Sequence, residues 1–419
     1  CIRDSFSVLV FAAGMAVLPF IHLFMKNNSY SLSYIRVLYA MWLVRTVLSY
    51  LLTYRKSLLI ADQKEYIASI TGLILNVVSY LAIILLVTWE QNYLLALGIG
   101  TVTEVVLNIW ISWYVEQKYP FLRQRRKEKS TSSLTKRIVR DLKSLFISRI
   151  SEKMLYCTDN LIISGFIGVG TVGRYANYCM ITQAISNILT ILANTIQPTV
   201  GDYFTEKNRQ RNYEILRQLT FGFFCIASVV SVGLFSLITP FVRDIWLGPS
   251  YELGWGITVF CIVVLLVRIM GLPLSLVMGV TGLFEKEKNV GASSALLNLI
   301  VSLALVKPYG MAGVLLGTLL SYLLQILYRY IIYFRDFLEM PGEALRYAQD
   351  IGEYLAVIAG EVLLMQKIVP LIYGAGGMLL FCVCFLLCIA IPLLLDLVIF
   401  GRGWRLQSIV TMVKGMRKA

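Results

Sequence analysis

Apolar stretches of about 20 residues recur along the whole chain and constrain its fold more than any other feature. Each is long enough to cross the ~30 Å hydrocarbon core of a bilayer as a helix. Backbone polar groups at that depth need partners within the protein, and the runs are continuous rather than alternating as in barrel strands, so helices are expected. The predicted spans are residues 5–24, 32–54, 67–89, 93–115, 142–165, 172–197, 219–241, 256–279, 290–306, 311–333, 350–372 and 376–399.

The composition excludes a soluble domain. The 419 residues are 58% hydrophobic and only 15% charged, with a mean hydropathy of +0.73, and so few charges cannot cover a water-exposed surface. The only histidine is His22, and the cysteines show no paired spacing. We therefore predict an all-α polytopic membrane protein without a metal site and without catalytic residues.

Lysine and arginine alternate between the connecting segments. Most of the lysine and arginine outside the spans lies in segments 53–66, 117–143, 202–218, 284–289, 333–347 and 401–419, whereas 89–93, 165–173 and 372–377 contain none. The positive-inside rule places the basic segments and the C-terminus in the cytoplasm. The net charge of +14 is then explained by contact with anionic membrane lipids, and we expect no nucleic-acid partner for the basic cluster at 123–129.

A weak internal repeat relates the two halves of the chain. Residues 61–82 align without gaps on residues 283–304, and each copy is a charged turn that leads into a helix with an asparagine, Asn76 or Asn298. The pattern is typical of a transporter that arose by duplication, with the substrate site between its two lobes. Either asparagine could equally serve in helix packing.

Several motifs resemble one transporter family. They are residues 158–181 (TDNLIISGFIGVGTVGRYANYCMI), 196–208 (IQPTVGDYFTEKN), 246–251 (WLGPSY) and 54–67 (YRKSLLIADQKEYI). In these segments the chain resembles the polysaccharide or O-antigen flippases of the multidrug/oligosaccharidyl-lipid/polysaccharide (MOP) exporter superfamily.

The resemblance implies a two-lobed MOP/MATE-like fold and alternating access without ATP hydrolysis. The family has fourteen transmembrane helices, of which about twelve are expected here, because Cys1 falls near the start of the family's third helix and the chain is expected to be truncated at its N-terminus. The expected division is an incomplete N-terminal lobe (1–117), a basic linker (118–141), a C-terminal lobe (142–334), a helix pair (348–400) and a basic amphipathic tail (401–419).

Four ionisable residues fall within the predicted span at 142–165: Arg149, Glu152, Lys153 and Asp159. Charges at this depth cost about 2.5–3.5 kcal/mol even on a lenient insertion scale, so they indicate a wet cavity or partner helices. Glu152 can neutralise only one of the two cations, which leaves a cationic patch suited to a phosphate-bearing headgroup. The alternative is pairing with other helices, or snorkelling towards the cytoplasm.

Further candidates lie on other spans. Arg45, Glu104 and Arg268 are each flanked by apolar residues and are expected to face the cavity or an opposite charge; a structural pair of Arg45 with Glu104 is the alternative.

A stripe of uncharged polar residues follows one face of the span at 172–197. It contains Gln183, Asn187 and Asn194, together with Thr190 and Gln197. Amides and hydroxyls of this kind match sugar hydroxyls, although they also serve in packing between helices.

These residues favour a flippase that moves a lipid-linked oligosaccharide, an undecaprenyl-pyrophosphate sugar unit, across a bacterial inner membrane. The alternative is a MATE-like cation-coupled antiporter of drugs or small molecules, but the candidate residues carry more positive than negative charge. A membrane enzyme would need a larger extramembrane loop for its acid and base groups. No cofactor is expected, and coupling to H⁺ or Na⁺ stays open. The expected partners are membrane lipids, the lipid-linked oligosaccharide, a polysaccharide polymerase and glycosyltransferases.

Overall fold

A computed structural model describes residues 2–25, 30–52, 55–62, 64–90, 92–120, 157–204, 208–374 and 376–401. The chain divides into two compact units, Cys1–Lys136 (unit 1) and Arg137–Ala419 (unit 2), each with its own buried core. The division falls within the basic segment 118–141. In the described ranges there is no β-strand, and nine helices are long and apolar enough to cross a membrane.

Unit 1 is built around its last helix, which packs against the second and fourth. The hydroxyl of Tyr39 donates to the carbonyl of Gly14 at 3.0 Å and ties the second helix to the first. Its helices are α1 (Ile2–Val17, followed by the 3₁₀ turn Leu18–Phe24), α2 (Leu32–Leu52), α3 (Lys56–Ala61), α4 (Glu65–Glu90) and α5 (Tyr93–Lys118).

Unit 2 has a central helix, α8, which packs against α7, α9, α12 and α13. Its elements are α6 (helical over residues 157–166), α7 (Val169–Tyr203), α8 (Arg209–Pro240, followed by π-helical Phe241–Trp246), α9 (Trp255–Val280), α10 (Phe284–Tyr309), α11 (Met311–Ile331, followed by π-helical Ile332–Leu338), α12 (Pro341–Tyr373) and α13 (Met378–Phe400).

Two helices extend well beyond their predicted apolar spans. Helix α8 begins at Arg209 rather than at residue 219, and α12 begins at Pro341 rather than at residue 350. The Asn208 side chain caps α8 by accepting a hydrogen bond from the backbone N–H of Arg211 at 3.2 Å. Arg217 and Asp350 then join the two helices through hydrogen bonds of 2.6 and 3.0 Å. This ion pair joins the polar start of α8 to α12, and a hydropathy window cannot detect it.

The predicted count of twelve spans stays a prediction. Both α1 and α2 are helical where spans were expected, but neither is among the nine helices that meet the length and hydropathy requirement. The span at 142–165 is described only from residue 157 onward, where it is helical.

Helices α10 and α11 pack closely because α11 carries glycines one turn apart. A Cβ atom at Gly313 would overlap the backbone carbonyl of Leu305, and one at Gly317 would overlap the side chain of Ser302. Small residues at i and i+4 allow close backbone approach, which is the usual basis of helix association in lipid. The Ser302 hydroxyl uses this proximity to donate to the carbonyl of Val314 at 3.2 Å.

We expect Gly313→Ala to destabilise unit 2 by about 1–3 kcal/mol, because the added methyl group meets rigid backbone and α10 must move. Gly222→Ala in α8 is the matched control, since a Cβ there meets nothing within 4 Å. Thermal unfolding of the purified protein measures both. Equal melting temperatures for the two variants would contradict the close contact.

Candidate functional site

Three of the four ionisable candidates from the 142–165 span, Arg149, Glu152 and Lys153, lie outside the described residues. The cationic patch therefore stays a prediction. The fourth, Asp159, lies on α6 and is described in full.

Asp159 is buried, with 4% of its surface exposed, where α6 meets α10 and α11. The Thr318 hydroxyl donates to one carboxylate oxygen at 2.6 Å, and the Asn298 amide lies 3.4 Å from the other. The same amide also donates to the Thr318 hydroxyl at 2.9 Å. These contacts join three helices through one small polar network.

The two hydrogen-bond donors to Asp159 in the described part of the chain, Thr318 and Asn298, are neutral. Among the described residues, no lysine or arginine pairs with its carboxylate, and the side-chain oxygen of Asn298 has no hydrogen-bond partner. A buried carboxylate without a cation is costly in a low-dielectric environment. A proton or a small monovalent cation would relieve that cost, so the arrangement suits an exchangeable ion.

Arg45 and Glu104 pair with each other inside unit 1. Arg45 Nε lies 2.7 Å from Glu104 Oε2, and the guanidinium stacks over the ring of Trp42 at 5.1 Å from its centroid. Asn108 donates to the backbone carbonyl of Glu104 at 2.8 Å, one turn along α5. The ion pair that the sequence left open is therefore present. Both side chains are only part-buried, so the structure does not assign them to substrate.

Arg268 lies on α9, close to α11. Its guanidinium carbon is 5.5 Å from the ring centroid of Tyr322, in the geometry of a cation–π contact. Arg268 as a whole is half-buried, and contact of this residue with substrate stays a prediction.

The amide stripe runs along an open side of α7. Asn187 and Asn194 are exposed and Gln183 is half-buried, whereas Tyr178, Leu189, Ala193 and Val200 pack into the core. A third face exposes Ile188 and Ile191. Acyl chains cannot hydrogen-bond amides, so these exposed amides need water or a polar ligand beside them. Substrate contact at these residues stays a prediction.

The sequence did not select Asn298 or Thr318 as site residues. Asn298 had a detectable signal, because the internal repeat singled it out together with Asn76. The structure separates these two residues: Asn298 is buried and Asn76 is exposed on α4. Thr318 had no signal, since a single threonine in an apolar span is common.

Two comparisons with known proteins agree with the resemblance, and the second of them shows the all-helical fold. Residues 4–204 match a family model described as a polysaccharide biosynthesis protein. The structure matches a solved one titled lipid II flippase MurJ, inward closed conformation, with a TM-score of 0.65 and 16% identity, covering 96% of this chain and 83% of that one. The search of curated proteins found no match.

The pairing of Arg45 with Glu104 predicts a coupled loss of stability. Arg45→Leu or Glu104→Leu each leaves one unpaired charge within a helix bundle, at a cost of about 2.5–3.5 kcal/mol at bilayer depth. The double variant should cost less than the sum of the single variants by about 1 kcal/mol or more. Unfolding measurements on the four proteins give the coupling energy directly. Strict additivity would mean that the pair contributes nothing.

Proposed function

We propose that this protein is a flippase that moves a lipid-linked oligosaccharide across the membrane by alternating access. The observation that carries the proposal is agreement between two independent comparisons. A polysaccharide biosynthesis family model matches the first half of the chain, and a lipid II flippase fold covers nearly all of it. Both point to amphiphilic glycan substrates rather than to the drugs of the antiporter alternative.

The proposed substrate is an undecaprenyl-pyrophosphate-linked sugar unit, carried from the cytoplasmic to the outer leaflet of a bacterial inner membrane. Arg149 and Lys153 would attract its pyrophosphate. The amide stripe of Gln183, Asn187 and Asn194 would exchange hydrogen bonds with sugar hydroxyls, because amides both donate and accept. Glycosyltransferases that build the unit and a polymerase that consumes it are the proposed partners.

Transport against a gradient needs an energy source, and we propose that Asp159 binds the coupling ion, H⁺ or Na⁺. Its support is the neutral environment described above. Thr318 and Asn298 orient the carboxylate without cancelling its charge. A bound cation would therefore change the net charge of this network, and with it the packing between α6 and the α10–α11 pair. A conformational change can be driven only by such a difference between two states.

We expect Asp159→Asn to abolish glycan export and to remove the ion dependence of any residual transport. Asn preserves the shape of Asp and can still accept from Thr318, but it carries no charge to exchange. Asp202→Asn, an exposed position at the end of α7, is the matched control. Transport of a fluorescent lipid-linked oligosaccharide into vesicles, measured in Na⁺ or K⁺ at several pH values, separates the two ions. Unchanged, ion-dependent transport by Asp159→Asn would exclude this residue.

The proposed orientation is tested by cysteine labelling. In a variant without native cysteines, a membrane-impermeant thiol reagent added to intact cells should label Ala375→Cys but not Ser130→Cys. The physical reason is the concentration of lysine and arginine around residue 130. Permeabilised cells, in which both positions should react, provide the control. The reverse pattern would invert the leaflet from which substrate is loaded.

A further inference from the structure

A second buried carboxylate site lies at the meeting point of α8, α12 and α13. Glu361 of α12 is 3% exposed and Asp396 of α13 is 4% exposed. The hydroxyl of Ser228, from α8, is fully buried and donates to Glu361 Oε2 at 2.6 Å. None of the helices involved contributes to the Asp159 network, so the two sites are built from different elements.

Three oxygen atoms at this site have no hydrogen-bond donor among the residues that the structure describes. They are Glu361 Oε1 and both carboxylate oxygens of Asp396. Ser228 lies near Asp396 as well, but a hydroxyl has one proton and this one is given to Glu361. The two carboxyl groups are close enough to interact electrostatically. Buried polar atoms are rarely left without a partner, so something that donates to these oxygens is required.

No cation of the protein fills that role among the described residues. Around the site, α8 contributes the thiol of Cys225, which interacts electrostatically with both carboxyl groups. Lys367 of α12 is exposed, and Arg217 of α8 is engaged by Asp350. Helix α13 contributes Cys388, which is close to Ser236 and not to the pair.

A divalent metal ion fits the site poorly. Within the described part of the chain, no group of three or more histidine, cysteine or acidic side chains is arranged to hold one. Calcium sites need about six to eight oxygen ligands, whereas this site offers two carboxyl groups and one hydroxyl. A proton needs only one carboxyl group of the pair, and its binding leaves one negative charge in place of two.

We propose that Glu361 and Asp396 are a proton-binding pair that shares one proton within the membrane. One carboxyl group carries the proton and the other remains ionised, while the Ser228 hydroxyl holds Glu361 in position. The proton comes from water and returns to it, so no other reactant is involved. Two like charges buried at one meeting point of three helices are costly, and a single proton removes one of them.

Occupancy of this site would control how α12 and α13 pack on α8. Loss of the shared proton leaves two negative charges facing each other between three helices, where repulsion is weakly screened. The proposal is independent of the transported substrate and goes beyond the proposed function, because it concerns helices that the sequence analysis placed outside the two lobes.

Infrared spectroscopy of the full chain in lipid nanodiscs tests the pair directly. The C=O stretch of a protonated carboxylic acid is distinct from that of a carboxylate, and the wild-type spectrum at neutral pH should contain a band that is missing from Glu361→Gln/Asp396→Asn. Each single variant should shift or remove that band. Glu353→Gln, an exposed change on the same helix, should leave the spectrum unchanged. Subtracting the spectrum of the double variant from that of the wild type removes any band from Asp159, which both proteins contain.

Two infrared outcomes would overturn the proposal. Identical carboxylic-acid bands in the wild type and the double variant would mean that the pair holds no proton. A band that survives unchanged in one single variant would assign the proton to one carboxyl group rather than to a shared pair.

A second measurement uses thermal stability and does not depend on transport. The folded wild type would bind one proton more than the unfolded chain, so its stability should fall as pH rises, with up to a tenfold change in the unfolding equilibrium constant per pH unit. The double variant should show a shallower dependence. Sodium would contradict the proposal if it raised the melting temperature of the wild type more than potassium did and had no such effect on the double variant. That result would identify a metal-ion site in place of the shared proton. If a variant fails to fold, the wild type alone still tests the proposal, because its carboxylic-acid band should disappear as the pH is raised. A spectrum without such a band at any pH would contradict a shared proton.

Discussion

The structure depends on one constraint: lipid satisfies no polar group, so each charge inside the membrane must find its partner within the protein. The helices meet this requirement in two ways. Some carboxylates are paired with arginine, as Glu104 is with Arg45 and Asp350 is with Arg217. Others, such as Asp159 and Glu361, accept hydrogen bonds only from hydroxyl or amide groups among the described residues. The partner, and not the residue type, decides what each carboxylate can do.

A carboxylate paired with arginine is fixed, because separating the pair leaves two uncompensated charges. It can tie two helices together but cannot exchange an ion cheaply. A carboxylate held by neutral donors keeps its charge available and can alternate between an ionised and a neutralised form. Unit 2 contains both kinds on the same scaffold: Arg217–Asp350 fixes α12 to α8, and Glu361 lies further along the same helix. The α8–α12 pair thus combines a fixed ion pair, Arg217–Asp350, with the proposed proton-binding site at Glu361.

Sequence reasoning found the helices because their apolar length is a property of each segment alone. It failed at the starts of α8 and α12, where polar residues precede the apolar span and Arg217 of α8 pairs with Asp350 of α12. It selected Asp159 from its depth in a span, but it could not find Thr318, since nothing local distinguishes a threonine that faces a carboxylate from one that bonds its own helix. The sequence left two alternatives open for Arg45 and Glu104, an ion pair or contact with the cavity. The two residues are 59 positions apart, so only the tertiary structure shows that they are in contact.

The internal repeat shows why a shared sequence does not give a shared role. Asn76 and Asn298 occupy equivalent positions, yet Asn298 is buried against Asp159 and Thr318 while Asn76 is exposed on α4. An amide is tolerated in either setting because it can bond water or protein groups equally well. A carboxylate is costly to bury. Among the described residues, a buried carboxylate lies beside Asn298 of unit 2 and not beside Asn76 of unit 1. Two segments of similar sequence can therefore keep a similar helix while, among the described residues, only the one in unit 2 places its asparagine in a network with a buried carboxylate.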